Sequence, residues 1–164
     1  MAYRRNLIVN ALYRSFYRLA YVMCLVFGFV FRPRVRAVCV AAWCDDALLT
    51  IRQSYARKFT LPGGLMRRGE VPRDAAIREL REEVGLQSAA QRLEASLVLS
   101  ASHNFKRETV HYFDLHYWRK PRVEVDRREV VSAHFSSVDE LTPAVCAPQL
   151  RAYLAERGYP RFKR

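Results

Sequence analysis

No acidic residue precedes Asp45 in this 164-residue chain. Glycine (6) and proline (7) are sparse while 51% of the residues are hydrophobic, which excludes a disordered, collagen-like or low-complexity chain. A chain of this length buries enough apolar surface to fold as one domain without staples. The four cysteines, at 24, 39, 44 and 146, include no Cys-x-x-Cys pair, and no histidine flanks them at zinc-ligand spacing. That spacing does not point to a zinc knuckle. The cysteines read instead as reduced, mostly buried thiols, with Cys39 and Cys44 on opposite faces of a strand, in a reducing, cytoplasmic compartment. The longest apolar run, Leu19–Phe31, has 13 residues, short of the roughly 20 that span a bilayer. The sequence after it, Arg32-Pro33-Arg34, is no small-residue cleavage site, so a secretory signal is excluded.

Basic residues, by contrast, are abundant: 28 Lys and Arg against 16 Asp and Glu give a net charge of +12. Seven arginines (4, 5, 14, 18, 32, 34 and 36) fall within the first 36 residues, leaving 21 bases against 16 acids in the remainder. The excess charge therefore belongs mainly to an N-terminal arm, residues 1–34, ahead of a domain at 35–164. Asn10, Arg14 and Arg18 recur every four residues, as on one face of a helix. Two roles suit such an arm. Its apolar face packs on the domain or on a second subunit as in a homodimer, or it lies in a membrane interface with arginines at anionic headgroups.

Beyond the arm, Val35–Trp43 and Ala47–Tyr55 read as strands around an Asp45-Asp46 turn, and Lys58–Leu61 leads into Pro62-Gly63-Gly64. Val71–Val84 has helical periodicity, with Pro72 in the first turn and Gly85 just past the end. Leu93–Ser102 and Thr109–Trp118 read as strands around a polar loop, residues 103–108. A charged loop at 121–128 precedes a last strand, Val130–Phe135, and Pro148–Arg157 reads as a closing helix. Strands on both sides of one helix, with another at the end, predict a mixed sheet between helical layers.

Chemistry concentrates in residues 64–86, GLMRRGEVPRDAAIRELREEVGL. Glu79, Glu82 and Glu83 stand at i, i+3 and i+4, so three carboxylates leave one helix face within about a turn. They repel one another, and near a helix C-terminus the macrodipole disfavours them further. A hard divalent cation resolves that conflict, and Mg²⁺ is held by few carboxylates together with substrate phosphates. Arg78 can reach Glu82 and, across the loop, Glu70. Taken alone, Arg-Glu-x-x-Glu-Glu is an ordinary solvated helix face.

The whole stretch, however, resembles the Nudix hydrolase signature, Gly-x5-Glu-x7-Arg-Glu-U-x-Glu-Glu-x-Gly-U with U aliphatic. Gly64, Glu70, Arg78, Glu79, Leu80, Glu82, Glu83, Gly85 and Leu86 match every position. Seven fixed residues at background frequencies of ~7% or less coincide on the order of once in 10⁸ starting points. Leu61-Pro62-Gly63-Gly64 and Val138-Asp139-Glu140-Leu141 share the likeness, which covers about Val35 to Tyr153. One departure is Val71, a poor N-cap where the family carries Ser or Thr.

The resemblance implies an α/β/α sandwich with a mixed β-sheet, here with an N-terminal helical arm added. The activity it implies is Mg²⁺-dependent hydrolysis, with Mn²⁺ as a substitute, of a nucleoside diphosphate linked to another group. Glu79, Glu82 and Glu83 would bind metal, with Glu82 and Glu83 as direct ligands and Gly64 offering its carbonyl, while Glu70 and Arg78 form a supporting pair. The general base is a box glutamate or a downstream carboxylate, for which Glu129 is the candidate and Asp126 the alternate. Arg52, Arg57, Lys106 and Arg107 are the candidates for substrate phosphates. Family markers for ADP-ribose and dinucleoside polyphosphates fall on Ser102 and Asn104, so neither substrate is indicated. The alternative is a catalytically retired Nudix domain that binds nucleotide or RNA as a sensor, against which the three intact glutamates argue.

Overall fold

A computed structural model describes residues 2–87, 92–103, 105–125 and 127–163. Asn104 and Asp126, both weighed above, lie outside the described residues. The chain opens with α1 (Ala2–Phe31), followed by strands β1 (Arg34–Cys44), β2 (Ala47–Gln53), β3 (Phe59–Thr60) and β4 (Gly63–Leu65). Helix α2 (Pro72–Val84) leads to β5 (Glu94–His103), β6 (Lys106–Tyr117), β7 (Val130–Ser137) and α3 (Pro148–Glu156).

One seven-stranded mixed sheet organises these elements in the order β3-β2-β1-β6-β5, with β4 also on β1 and β7 also on β2. Strand β1 is its hub. It runs parallel to β6 from Arg34↔Arg107 to Cys44↔Tyr117, while its other edge takes β4 and, at Cys44↔Ala47, the start of β2. Strand β2 then pairs with β7 along its length. Asp45 makes the β1–β2 turn with φ 51°, a left-handed conformation that Asp tolerates.

The near-continuous apolar run of β1 follows from its being covered on both faces. Ala37, Cys39, Ala41 and Trp43 join a core with Leu150, Tyr153 and Leu154 of α3. Val38, Val40 and Ala42 join the opposite core with Ala75, Ala76, Leu80 and Val84 of α2. Fully buried Leu80 and Val84 each contribute roughly 1.5–3 kcal/mol of transfer free energy. The helix–sheet–helix layering expected from the sequence is thus present. In the α3 layer, Tyr153 Oη accepts from Trp43 Nε1 at 3.0 Å and donates to buried Asp114 Oδ1 at 2.7 Å. Arg157 pairs with the other oxygen of Asp114 at 3.3 Å. Cys39, Cys44 and Cys146 are buried, Cys24 is exposed, and all four are free thiols.

Two expectations are corrected. The described residues of the polar stretch 103–108 are not a free loop: His103 pairs with Lys106, so the antiparallel β5–β6 ladder runs to that pair, and Phe105 has φ 63°. And the thirteen-residue apolar run is part of one 30-residue helix, within which Val9–Phe31 is long and apolar enough, by length and composition alone, to cross a membrane. Length therefore does not exclude a span.

Candidate active site

Helix α2 presents two faces to different tasks. Ala75, Ala76, Leu80 and Val84 enter the core, which turns Arg78, Glu79 and Glu83 toward β4. Its N-cap, Val71, makes no side-chain capping bond, so Pro72 and the acidic Asp74 of the first turn start the helix without one. At the other end Gly85, with φ 71°, donates its N–H to the Arg81 carbonyl while Leu86 donates to Leu80. Glycine reaches that left-handed conformation without penalty.

The Pro62-Gly63-Gly64 turn brings β4 against this face. A Cβ on Gly63 would collide with the Val38 carbonyl, and one on Gly64 would stand 2.6 Å from Glu79 Oε1. The close approach lets Gly63 N–H donate to Glu83 Oε2 at 2.7 Å, while Gln53 Nε2 donates to Glu83 Oε1 at 3.4 Å. Arg78 holds the opposite side. Its Nε and Nη2 donate to the two oxygens of Glu70 at 2.8 and 3.0 Å, and Nη2 also to the Leu65 carbonyl at 3.2 Å. Its Nη1 reaches Glu79 Oε1 at 2.6 Å and Glu82 Oε2 at 3.3 Å. Glu82 is the most exposed of the three carboxylates and also faces Arg67 at 3.6 Å. From the other direction β7 is preceded by Glu129, whose Oε1 accepts from Tyr55 Oη at 3.2 Å and whose carbonyl accepts from Ser54 N–H at 2.7 Å.

Electrostatics tie these groups into one cluster. Burial pushes the Glu83 carboxyl well above the usual range, against the Gly63 N–H, and the charges of Glu79 and Glu129 add to the rise. Burial likewise raises Glu79, with Arg78 opposing and Glu82 and Glu129 adding. The Arg78 hydrogen bonds, helped by the Arg67 N–H, hold Glu70 down at about 2. Burial and Glu129 raise the Tyr55 phenol, which therefore stays a hydrogen-bond donor.

Buried carboxylates that disfavour one another's charge call for a cation. Among the described residues no group of three His, Cys, Asp or Glu side chains is placed to hold a metal ion. Mg²⁺ does not require one, because it takes one or two carboxylates, keeps several waters and shares oxygens with substrate phosphates. The donors that Glu79, Glu82, Glu83 and the Gly64 carbonyl offer are all hard oxygens, the donor type that Mg²⁺ and Mn²⁺ take.

A cavity of about 380 Å³ opens beside the cluster, with Gly63, Gly64 and Glu129 in its wall. Of the basic residues expected to bind substrate, Lys106 lines it, joined by Lys58. Arg52 and Arg57 are exposed and stand outside it, and Arg107 lines a separate hollow with Arg34. Sequence reasoning missed the other wall: Tyr17 and Tyr21 of α1, and Gln53 and Tyr55 after the bend of β2. The four-residue spacing of Tyr13, Tyr17 and Tyr21 was the available signal, since it puts three phenols on one helix face. Tyr21 stacks on Tyr55 with ring centres 5.1 Å apart, so the arm forms part of the pocket.

Comparison with known proteins agrees with this fold. Residues 33–157 match the NUDIX domain family. No curated protein sequence matches the chain. Among solved structures, the MutT NUDIX hydrolase of Burkholderia pseudomallei is 22% identical with a TM-score of 0.65, over 75% of this chain and 96% of that one. A MutT/nudix family protein of Enterococcus faecalis is 17% identical with a TM-score of 0.57, over 62% of this chain and 43% of that one. A bifunctional NMN adenylyltransferase/ADP ribose pyrophosphatase of Francisella tularensis, complexed with AMP and a Mn ion, is 18% identical with a TM-score of 0.65, over 88% and 47%. The chain thus spans less than half the length of the last two.

Proposed function

The chain belongs to the NUDIX domain family, and on that premise we propose that it is a Mg²⁺-dependent pyrophosphohydrolase that cleaves a nucleoside diphosphate linked to a second group. What carries the reading is the convergence of Glu79, Glu83 and Glu129 on the Gly63-Gly64 turn, beside a cavity that also holds Lys58 and Lys106. A bound Mg²⁺ supplies charge neutralisation of the diphosphate and acidification of water. Glu79, Glu82 and Glu83 are the residues that would hold it.

The remaining work falls to the chain itself. Lys58 and Lys106 draw the phosphates into the cavity as point charges. Tyr55 fixes the carboxylate of Glu129, which takes a proton from the attacking water as general base. The hydroxyl adds to one phosphorus, the bridging P–O bond breaks, and two phosphomonoesters leave. Arg78 touches no substrate; it positions Glu79 and Glu82 by anchoring them to the Glu70 loop. Tyr17 and Tyr21 offer aromatic faces to the organic part of the substrate. With its thiols free, such an enzyme works in the reducing cytoplasm.

The experiment is a panel of nucleoside triphosphates, ADP-ribose and dinucleoside polyphosphates, incubated with Mg²⁺, Mn²⁺ or chelator, with products separated by chromatography. Metal-dependent release of a nucleoside monophosphate supports the reading. Tight binding of a panel member without turnover would instead identify a retired sensor.

A further inference from the structure

Helix α1 divides lengthwise into a face that is seated and a face that is not. Arg14, Tyr17, Tyr21, Leu25 and Gly28 recur at helical spacing and are partly or fully buried. Along this seam Arg14 donates to the Arg127 carbonyl at 3.0 Å, Arg18 to the Ser54 carbonyl at 3.4 Å, and Phe29 packs edge-on to Phe105 with ring centres 5.1 Å apart. The opposite face is apolar from Leu12 to Phe31 and bare, with Phe16 63%, Met23 65% and Phe31 67% exposed. Soluble proteins rarely leave so long a contiguous apolar surface uncovered.

Charge identifies the cover. No acid occurs before Asp45; exposed Arg32 and Arg34 follow the helix directly, and exposed Arg107 stands beside Phe105 at the adjoining hairpin. Apolar and aromatic side chains edged by arginines complement a bilayer with anionic headgroups, which takes the apolar groups into its acyl boundary and the guanidiniums at its phosphates. The same helix face of a second copy would bring no acidic side chain to meet these arginines, since none precedes Asp45. We propose that the exposed face of α1, with Phe105 and Arg107 beside it, docks on an anionic membrane surface. The helix lies flat rather than spanning, because a span would strip the contacts of Arg14, Arg18, Tyr21 and Phe29 from the domain. Its inner face being a wall of the cavity, docking holds that cavity close to the lipid. None of this depends on the hydrolase reading.

The test sediments the full-length chain with vesicles of phosphatidylcholine alone or mixed with phosphatidylglycerol, at low and high salt. Met23 and Phe27 are exposed and stand outside the cavity, so Met23→Glu/Phe27→Glu leaves fold and pocket intact, as circular dichroism and melting will verify. The expected result is binding to the anionic vesicles that weakens with salt, and an at least about tenfold loss in the double variant. Absence of binding at low salt, or equal binding by a folded double variant, overturns the proposal. So does a dimer that the double variant turns into monomer without changing vesicle binding. Protein that survives an alkaline carbonate wash in the membrane fraction would mean a span and overturn it too.

Discussion

Arg78 grips Glu70 through both carboxylate oxygens, Nε to Oε1 at 2.8 Å and Nη2 to Oε2 at 3.0 Å, with the two side chains only 12% and 13% exposed. The contact spans eight residues and closes the loop ahead of α2 onto the helix that carries the carboxylates. Bidentate Arg–carboxylate pairs add geometric constraint as well as energy. Because the Arg78 hydrogen bonds, with the Arg67 N–H, hold Glu70 at about 2 against an ordinary 4.5, its folded pKa is depressed. Its stabilising contribution is therefore full above pH 4.5 and is lost as pH falls toward 2. Urea unfolding of the native protein and Glu70→Gln should show a stability gap that is constant near neutrality and narrows between pH 4.5 and 2. A gap independent of pH across that window would contradict the pairing.

Tyr153 serves the fold alone. Replacing it by Phe orphans the buried Trp43 N–H and one oxygen of Asp114, at a cost of about 1–3 kcal/mol. Denaturant unfolding should register that loss while turnover of the folded protein stays unchanged, since Tyr153 lies in the α3 layer across the sheet from the carboxylates.

Val71 leaves the α2 N-terminus without a side-chain cap and is itself 56% exposed, in an extended conformation suited to a cap. Val71→Ser should raise stability by about 1 kcal/mol, read as a higher urea midpoint at unchanged slope. A neutral or destabilising result would mean that Pro72 already suffices.

Glu129 tests the assignment of the base. Glu129→Gln keeps the acceptor for Tyr55 Oη but cannot take a proton, so kcat should fall about 10²–10⁴-fold with KM little changed. A rise in KM at constant kcat would make it a binding group instead.

The sequence made α2 legible because four local signals agreed, apolar periodicity, Pro72 at the start, Gly85 at the end and the carboxylate spacing, and outweighed the poor N-cap Val71. Three features were hidden for physical reasons. The start of β6 reads as a loop because Lys106, Arg107 and Glu108 are all charged and none is buried, so no apolar alternation marks the strand. Strands β3 and β4, of two and three residues, are too short to leave a pattern around Pro62. And Arg14 and Arg18 interrupt the apolar run of α1 in sequence without ending it in space, because both reach carbonyls of the domain. That long-range contact also hid the aromatic wall of the cavity, whereas the carboxylates are contiguous in the chain and needed no tertiary information.

The most direct measurement of the central claim, that the α2 carboxylates hold a divalent cation for hydrolysis, is Mn²⁺ binding by electron paramagnetic resonance in the native protein and Glu82→Gln, with turnover measured on the same samples. Glu82 is 44% exposed and bonded only to arginines in the described contacts, so the fold survives the change. Loss of a ligand charge should weaken Mn²⁺ at least about tenfold, a loss that even a supporting partner of a metal ligand can cause, and turnover should fall with it. Unchanged Mn²⁺ affinity together with near-normal turnover would contradict the account.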